Sequence, residues 1–263
     1  NLVFISEIGL DPGIDHFFSH LLVRDLKKQN LNNISVSYKS FCGGLTNIPN
    51  DFKYKFSWSP VGVIKALNNK AKFIDNFKKK IVIPYHNINF FEINGETFEA
   101  YPNRNSLPYI EEYLFENKWR VKKFIRGTLR HKGWSHAWKD IFTLLEKPSK
   151  NIEKDIEIKS AELWSKYQYE KNEKDRVVLS VSLNAYNNNE ILWSESYYLD
   201  ECGSGENTAM ALLVSITLSA GIDLILQNKL FSGVQAAPST ENNIEYFFKI
   251  LKKYDINIKK ING

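Results

Sequence analysis

The stretch of sequence that decides the fold is Gly9-Leu10-Asp11-Pro12-Gly13-Ile14-Asp15-His16. An apolar run at residues 2–5 leads into it, and apolar residues with helical spacing follow at residues 17–26. This order predicts a strand, a tight turn and the start of a helix. Because ligands of open α/β sheets bind where strands end in this way, the turn is a candidate ligand site.

Asp11 and Pro12 stand where the predicted helix begins. Aspartate followed by proline is typical of a helix N-cap and first helical residue. In that arrangement a carboxylate and free backbone N–H groups would lie at the positive end of a helix. The alternative is that Asp11 only caps its helix and contacts no ligand.

The composition is that of a folded protein. The 263 residues are 43% hydrophobic and 25% charged, which is enough for one large domain or two small ones. The net charge is +5, but the lysines are spread along the chain, so we expect no nucleic-acid partner. No apolar run approaches the roughly 20 residues that span a bilayer, and no secretory signal is present. We therefore expect no membrane association.

Two cysteines, Cys42 and Cys202, provide neither a disulfide framework nor zinc spacing. This usage fits a reducing compartment, and we expect a cytoplasmic protein without a bound metal.

Apolar periodicity predicts alternating strands and helices along the chain. Strands are expected at residues 2–7, 34–41, 80–84, 121–129, 176–184, 190–199 and 256–261, with a hairpin over 88–100 that turns at Asn94-Gly95. Helices are expected at 13–29, 59–71, 106–114, 131–145, 206–228 and 240–254, a loop at 43–53 and a polar surface connection at 147–160. The predicted fold class is α/β or α+β, with a mixed β-sheet flanked by helices.

Further motifs carry candidate chemistry: F-C-G-G-L at 41–45, Y-K-F-S-W-S-P-V-G-V at 54–63, Y-P-N-R-N-S at 101–106 and R-G-T-L-R-H-K-G at 126–133. Together with residues 9–16, and in this order, they resemble the saccharopine dehydrogenase family, the L-glutamate-forming enzymes of the aminoadipate lysine pathway. The resemblance is dense over residues 9–135 and resumes more weakly at 210–238.

The resemblance implies the substrate-binding and dimerisation domain of such an enzyme, similar in fold to the catalytic half of two-domain dehydrogenases. It implies oxidation of saccharopine to glutamate and aminoadipate semialdehyde with NAD or NADP, and a homodimer. A mitochondrial location follows if the chain comes from a eukaryotic bifunctional enzyme.

The chain also departs from the family pattern. It contains no G-x-G-x-x-G fingerprint, it starts at Asn1 inside a strand pattern, and Asn105 stands where the family more often has aspartate. We expect the family's N-terminal Rossmann domain, bordered by residues 1–12 and about 205–263, to be missing. The cofactor would then be bound mostly elsewhere, and this chain alone would be inactive.

Saccharopine is a secondary amine with three carboxylates, so its site needs cations and an acceptor for the amine. Arg104 precedes a predicted helix and Arg130 stands at a predicted strand end, and the planar guanidinium suits carboxylates. By itself each arginine is also compatible with a surface ion pair. The resemblance places substrate contacts at both.

The resemblance also assigns cofactor contacts to Leu10, Asp11 and Pro12, and it makes Asp11 a substrate contact and candidate catalytic residue. Thr128 and Leu129 offer a hydroxyl and backbone groups beside Arg130.

Cys42 and Trp58 have two interpretations each. Cys42 is a candidate proton-transfer group if nearby cations lower its pKa; otherwise it is a small buried residue. Trp58 and Ser59 border the nicotinamide in one interpretation, and Trp58 is a core aromatic in the other.

His16 can shuttle protons, but we expect it to pack or pair within the first helical turn. Trp134 and Trp138, four residues apart, are expected to pack or to anchor a dimer interface.

Two further functions stay open. One is a non-enzymatic binding or scaffold domain that has lost its cofactor half. The other is a dehydrogenase for another substrate, and the retained arginines and aspartate favour a dicarboxylic amino acid over a neutral one.

Overall fold

The computed structural model describes residues 2–147, 150–204 and 207–263. The strands are β1 (Val3–Ile5), β2 (Ser35–Thr46), β3 (Ala71–Asp75), β4 (Lys78–Val82), β5 (Asn89–Ile93), β6 (Glu96–Pro102), β7 (Arg120–His131), β8 (Asp175–Asn187), β9 (Glu190–Cys202), β10 (Gly233–Gln235) and β11 (Ile258–Asn262). The helices are α1 (Ile14–Lys28), α2 (Pro60–Asn68), α3 (Tyr109–Glu112), α4 (Trp134–Ala137), α5 (Lys139–Glu146), α6 (Ile152–Tyr167), α7 (Ala209–Leu226) and α8 (Glu241–Lys253).

Most described strands form one mixed sheet in the order β11-β9-β8-β2-β7-β3-β4. Strand β6 pairs with the C-terminal part of β7, and β5 pairs with β6. Strand β2 lies at its centre, antiparallel to β8 and parallel to β7. Strands β1 and β10 form a separate parallel pair. The predicted mixed sheet flanked by helices is therefore confirmed.

The core follows from the alternation of side chains along the central strands. One face of the sheet carries Val36, Tyr38 and Leu179, which pack against α1, α7 and α8 in the largest cluster of buried residues. The opposite face carries Phe41 and Leu129, which the β5–β6 hairpin covers in a smaller cluster. Helix α1 and the turn before it are thus held against the sheet face that bears the site.

Local signals account for several boundaries. The β5–β6 hairpin turns at Asn94 and Gly95, both with positive φ (50° and 82°), as a tight hairpin turn requires. Ser59 caps α2 by accepting a hydrogen bond from the Gly62 N–H, with Pro60 in the first helical position. Both features agree with the sequence-based prediction.

Other boundaries differ from the prediction. Gly43 and Gly44 belong to β2 rather than to a loop, because β8 pairs with β2 along its whole length. Most of the predicted polar connection at 147–160 lies in α6, which packs against α2. Strand β7 continues to His131, so the predicted helix at 131–145 is divided into α4 and α5 and starts later.

Helix α7 has 18 residues and is long and apolar enough to cross a membrane. The expectation that no apolar run approaches this length is therefore wrong for α7. One side of the helix lies in the core through Leu213 and Leu224, while Leu218 and Ile222 are exposed. The predicted start of this helix at residue 206 lies outside the described residues.

Candidate functional site

A cavity of about 740 Å³ lies where the turn before α1, the start of α2 and the ends of β2 and β7 meet. Eight of the ten predicted site residues line it: Leu10, Asp11, Pro12, Cys42, Trp58, Arg104, Thr128 and Arg130. Ser59 and Leu129 are not among its lining residues. The fold thus brings together residues that are more than 100 positions apart in the sequence.

The turn differs from its prediction. Helix α1 begins at Ile14 after Gly13, and the Asp11–Pro12 peptide bond is cis, so Asp11 is not the N-cap and Pro12 is not the first helical residue. Gly13 has a φ of 149°, and a Cβ there would lie 2.1 Å from the Gly9 carbonyl oxygen. Only glycine permits the extra turn that separates Asp11 from the helix.

The expected free N–H groups at this turn are occupied. The Gly13 N–H donates to Asp15 Oδ1 at 2.8 Å. The N–H groups of Ile14 and Asp15 donate to the carbonyls of Gly9 and Leu10 at 3.1 and 3.2 Å. The turn therefore places the Asp11 carboxylate at the cavity, while the N–H groups of Gly13, Ile14 and Asp15 at the start of α1 are already used within the protein.

Arg126 ties two carboxylates together. Its Nη2 donates to Asp11 Oδ1 at 2.7 Å and to Asp15 Oδ2 at 2.6 Å. Its Cζ lies 4.1 Å from the centre of the Tyr109 ring. Asp15 is fully buried, whereas 23% of the Asp11 side chain is exposed. Of the two carboxylates, Asp11 is therefore the one that a ligand in the cavity can reach.

The two carboxyl groups differ in acidity. Burial, followed by the charge of Asp15, raises the pKa of Asp11 to about 6, against the opposing influence of Arg126. Burial also acts to raise the pKa of Asp15, but His16, Arg126 and the Gly13 N–H outweigh it, so this pKa lies below its usual value. Asp11 is thus the carboxyl group that exchanges a proton near neutral pH.

Arg130 is a buried cation that faces the cavity. The side chain is 5% exposed, and its guanidinium lies over the rings of Tyr54, Tyr101 and Trp134, with Cζ 4.8, 5.5 and 5.6 Å from their centres. Its Nη1 donates to the Leu129 carbonyl at 3.0 Å, and its Nε has no hydrogen-bond partner. Among the described residues no carboxylate compensates its charge, so the site is suited to an anionic group of a ligand.

Arg104 lies at the exposed rim of the same cavity. The Lys72 N–H donates to its carbonyl at 2.8 Å, and the Ser106 N–H donates to the Lys72 carbonyl at 2.8 Å. These bonds fix the loop backbone against β3 while the guanidinium stays accessible. Arg104 is therefore placed to meet a second anionic group near the cavity mouth.

Trp58 and Ser59 have different positions. Trp58 lines the cavity, is 46% exposed and folds over Gly62, where an added Cβ would lie 2.5 Å from the indole. Its interpretation as a core aromatic is therefore wrong. Ser59 uses its hydroxyl to cap α2 and is exposed beside the cavity.

Cys42 and Thr128 are neighbours in the pairing of β2 with β7, and both line the cavity. Burial, followed by the charges of Asp11 and Asp15, raises the pKa of the Cys42 thiol well above its usual value. Arg130 and Arg126 act to lower this pKa, but burial and the two carboxylates outweigh them, so the expectation of a lowered thiol pKa is wrong. The Leu129 side chain packs in the core behind β7.

Sequence reasoning missed Arg126, Asp15 and Tyr109 as members of the site. Arg126 belongs to the motif at residues 126–133, and its position could have identified it. Residues 126, 128 and 130 are every second residue of β7, so their side chains point to the same face. Nothing in the local sequence identifies Asp15 as the partner of Arg126, because that contact joins α1 to a strand 111 residues away.

His16 is buried, with Nδ1 2.8 Å from the Tyr113 hydroxyl and Nε2 3.5 Å from Glu7 Oε2. It packs and pairs as expected. Trp134 and Trp138 are both fully buried, which confirms packing and excludes their use as interface anchors.

A mixed sheet with helices on one face and an arginine-lined cavity at its strand ends defines a ligand-binding α/β domain. The family described as the saccharopine dehydrogenase C-terminal domain matches residues 9–256, and the chain belongs to this family.

Relatives and solved structures agree with this assignment. The chain is 36% identical over 146 residues to the mitochondrial alpha-aminoadipic semialdehyde synthase of Mus musculus, which covers 52% of the chain and 15% of that protein. It is 38% identical over 144 residues to a saccharopine dehydrogenase [NADP(+), L-glutamate-forming] of Schizosaccharomyces pombe, covering 50% and 30% of the two proteins. The matches thus span less than a third of these two relatives.

The apo saccharopine dehydrogenase (L-Glu forming) of Saccharomyces cerevisiae shares the fold with a TM-score of 0.78 at 23% identity, covering 98% of this chain and 74% of that one. Homospermidine synthase of Legionella pneumophila in complex with NAD has a TM-score of 0.65 at 13% identity, covering all of this chain and 64% of that one.

Proposed function

We propose that this chain provides the saccharopine-binding half of an NAD(P)-dependent saccharopine dehydrogenase of lysine metabolism, which forms glutamate and aminoadipate semialdehyde. The observation that carries the proposal is the buried, uncompensated guanidinium of Arg130 at a cavity that also contains Asp11. A dicarboxylic or tricarboxylic amino acid supplies the anionic groups that such a cavity requires. The names of the relatives that are called saccharopine dehydrogenases support saccharopine as that ligand.

Different residues of the cavity bind different groups of this substrate. Arg130 holds one carboxylate in the cavity and Arg104 a second at the rim, where their forked donors match carboxylate oxygens. Asp11 accepts a hydrogen bond from the substrate's secondary amine. Thr128 lies between Arg126 and Arg130 on the same strand face and presents its hydroxyl to the ligand.

The dinucleotide accepts a hydride when it is bound. Leu10, Asp11, Pro12, Trp58 and Ser59 would border its nicotinamide end, and the exposed Trp58 ring and the cavity mouth fit this role. The N–H groups of Gly13, Ile14 and Asp15 at the start of α1 are already used within the protein and do not fit its phosphates. We propose that a dinucleotide-binding domain bordering residues 1–12 and 205–263 binds them. The relatives named for NADP(+) favour that cofactor, although NAD stays open.

Two further proposals concern the whole protein. A homodimer is expected from the resemblance. The location is cytoplasmic, or mitochondrial if the chain comes from a eukaryotic bifunctional enzyme; two of the relatives are named mitochondrial.

The alternatives predict different outcomes in binding and turnover measurements. A binding domain without enzymatic function would bind saccharopine without contributing to turnover when supplied with a dinucleotide-binding domain. A dehydrogenase for another dicarboxylic amino acid would bind that amino acid more tightly than saccharopine.

Calorimetric titration of this chain with saccharopine, glutamate and lysine tests the proposal. We expect saccharopine to bind most tightly, because it alone carries three carboxylates. Arg130→Ala removes a charge-assisted contact of about 1.5–3 kcal/mol, which corresponds to about 10- to 150-fold weaker binding. Arg130→Lys should restore only part of this loss.

Arg120→Ala is the matched control, since Arg120 begins the same strand, is exposed and stacks on Phe77 away from the cavity. Melting temperatures check the folding of each variant. The proposal would be contradicted if saccharopine bound no better than lysine. It would also be contradicted if saccharopine bound equally well to Arg130→Ala and to the control Arg120→Ala.

A further inference from the structure

We propose that Asp15 and Arg126 are positioning residues that hold the Asp11 carboxylate at the cavity wall as the acceptor of the proton from the substrate's amine. This inference rests on the proposed function for the identity of the substrate. It adds two residues to which the proposed function gives no part in holding saccharopine, and it assigns them control of the position and acidity of the Asp11 carboxylate.

The geometry separates the two carboxylates into an anchor and an acceptor. Asp15 lines no part of the cavity and is fully buried; one of its oxygens accepts the Gly13 N–H and the other accepts Arg126 Nη2. Every contact of Asp15 is therefore internal. Asp11 shares the same Nη2 but lines the cavity and is partly exposed.

The guanidinium is fixed from a second direction. Its Cζ lies over the Tyr109 ring, and the Tyr109 hydroxyl donates to Glu7 Oε1 at 3.0 Å, which holds the ring in place. Arg126 also lines the cavity. Because the two carboxylates share the same Nη2, Arg126 does not neutralise Asp11 alone, and Asp11 stays under the repulsion of a second carboxylate.

The charges around Asp11 all belong to this cluster and the cavity rim. Asp15 raises the proton affinity of Asp11, whereas Arg126 and Arg104 lower it. In the proposed step an N–H bond of the substrate's secondary ammonium breaks, the electron pair stays on nitrogen, and the proton forms an O–H bond on Asp11. The free amine that results is the form whose nitrogen lone pair can assist loss of a hydride from the adjacent carbon.

The test uses the whole chain without substrate or cofactor. Aspartate carboxyl carbons are labelled with ¹³C and followed by NMR from pH 3 to 9, and Asp11→Asn identifies the Asp11 signal. In the unmodified chain we expect Asp11 to titrate near pH 6. Asp15→Asn keeps an oxygen for the Gly13 N–H but removes the charge, so the Asp11 pKa should fall towards 3.8.

Arg126→Gln should move the Asp11 pKa in the opposite direction, above 6, because the attractive charge is lost. Asp25→Asn, on the exposed end of the same helix and paired with Lys28 and Lys260, should leave it unchanged. Opposite shifts in two folded variants cannot come from a general loss of structure. Equal shifts, or none, would overturn the inference.

Saccharopine binding measured across the same pH range keeps the inference distinct from the proposed function. If saccharopine does not bind but the opposite shifts occur, the identity of the substrate fails and the pairing of Asp15 with Arg126 stands. If saccharopine binds with the same pH dependence in the unmodified chain and in Asp15→Asn, the positioning role fails and the proposed function stands.

Discussion

Arg126 and Arg130 are four residues apart on the same face of β7, yet their electrostatic situations are opposite. Arg126 is neutralised by Asp11 and Asp15, whereas Arg130 lies among aromatic rings with its charge uncompensated. The placement of Arg130 at the cavity could be predicted from the family resemblance, because its residue type and its place near a strand end were by themselves also compatible with a surface ion pair. The role of Arg126 could not be predicted, because it depends on a carboxylate that tertiary folding brings from α1.

Asp11 links function to stability. Its pKa of about 6 in the fold exceeds the ordinary 3.8, so the folded chain binds more protons than the unfolded chain between these values. The contribution of Asp11 to stability is therefore present below pH 3.8 and lost as the pH rises through about 6. In Asp11→Asn the stability does not fall in this way as the pH rises, because asparagine does not ionise.

We expect the free energy of unfolding of Asp11→Asn, relative to the unmodified chain, to rise by about 1 kcal/mol between pH 4 and pH 7, allowing for solvent screening at a partly exposed side chain. Urea denaturation at several pH values measures it. Asp51→Asn, at an exposed turn, is the control and should give a constant difference. A difference that is independent of pH for Asp11→Asn would contradict the assigned acidity.

Single elements show which sequence signals were sufficient. The start of α2 and the β5–β6 hairpin were predictable because capping and turn residues act locally. Helix α6 was missed although Ile152, Ile156 and Leu163 recur at helical spacing, since many charged residues hide that pattern. The length of β2 could not be predicted, because its glycines are held by pairing with β8, over 130 residues away.

Strand β7 passes between the cavity and the core at a point where only a glycine fits. A Cβ at Gly127 would lie 2.3 Å from the Phe41 ring and 2.6 Å from the Tyr101 carbonyl oxygen. We expect Gly127→Ala to destabilise the fold by about 1–3 kcal/mol, because an overpacked core forces backbone or rotamer shifts. Chemical denaturation of the two chains measures this difference.

Gly44→Ala serves as the comparison for this strand prediction. A Cβ at Gly44 would meet the mobile end of Met210 at 2.8 Å, a contact that a flexible side chain can relieve. If Gly127→Ala lowers the free energy of unfolding by no more than Gly44→Ala does, β7 can shift to admit the methyl group and the prediction is wrong.

At the scale of the whole molecule, the apolar surface is the main unexplained property. Leu218, Ile222 and Leu226 of α7 are exposed, and Phe4 and Val234 are exposed on the β1–β10 pair. Contiguous apolar surface and open strand edges favour association.

The order of strands in the sheet was not predictable from sequence, because β2 pairs with strands that lie far away in the chain.

We expect the chain to form a dimer or larger species at micromolar concentration, measured by light scattering. Leu218→Lys together with Ile222→Lys should reduce the measured mass. Ile191→Lys, which alters an exposed apolar residue on β9, is the control. A monomer at all concentrations would contradict a role of this surface in association.

We also expect the chain alone not to oxidise saccharopine, because the N–H groups of Gly13, Ile14 and Asp15 at the start of α1 are already used within the protein and do not serve dinucleotide phosphates. Purified chain with saccharopine and NAD or NADP should give no absorbance from reduced cofactor. Steady turnover under these conditions would refute the proposal that a separate domain binds the dinucleotide phosphates.

The aromatic surroundings of Arg130 also have an optical consequence. The Trp134 indole stacks with Tyr101, their centres 5.1 Å apart, and lies beneath the guanidinium. When a carboxylate approaches Arg130, the electric field across that indole changes, and so does the energy of its excited state. We therefore expect occupation of the cavity by a carboxylate ligand to change the tryptophan emission of the chain.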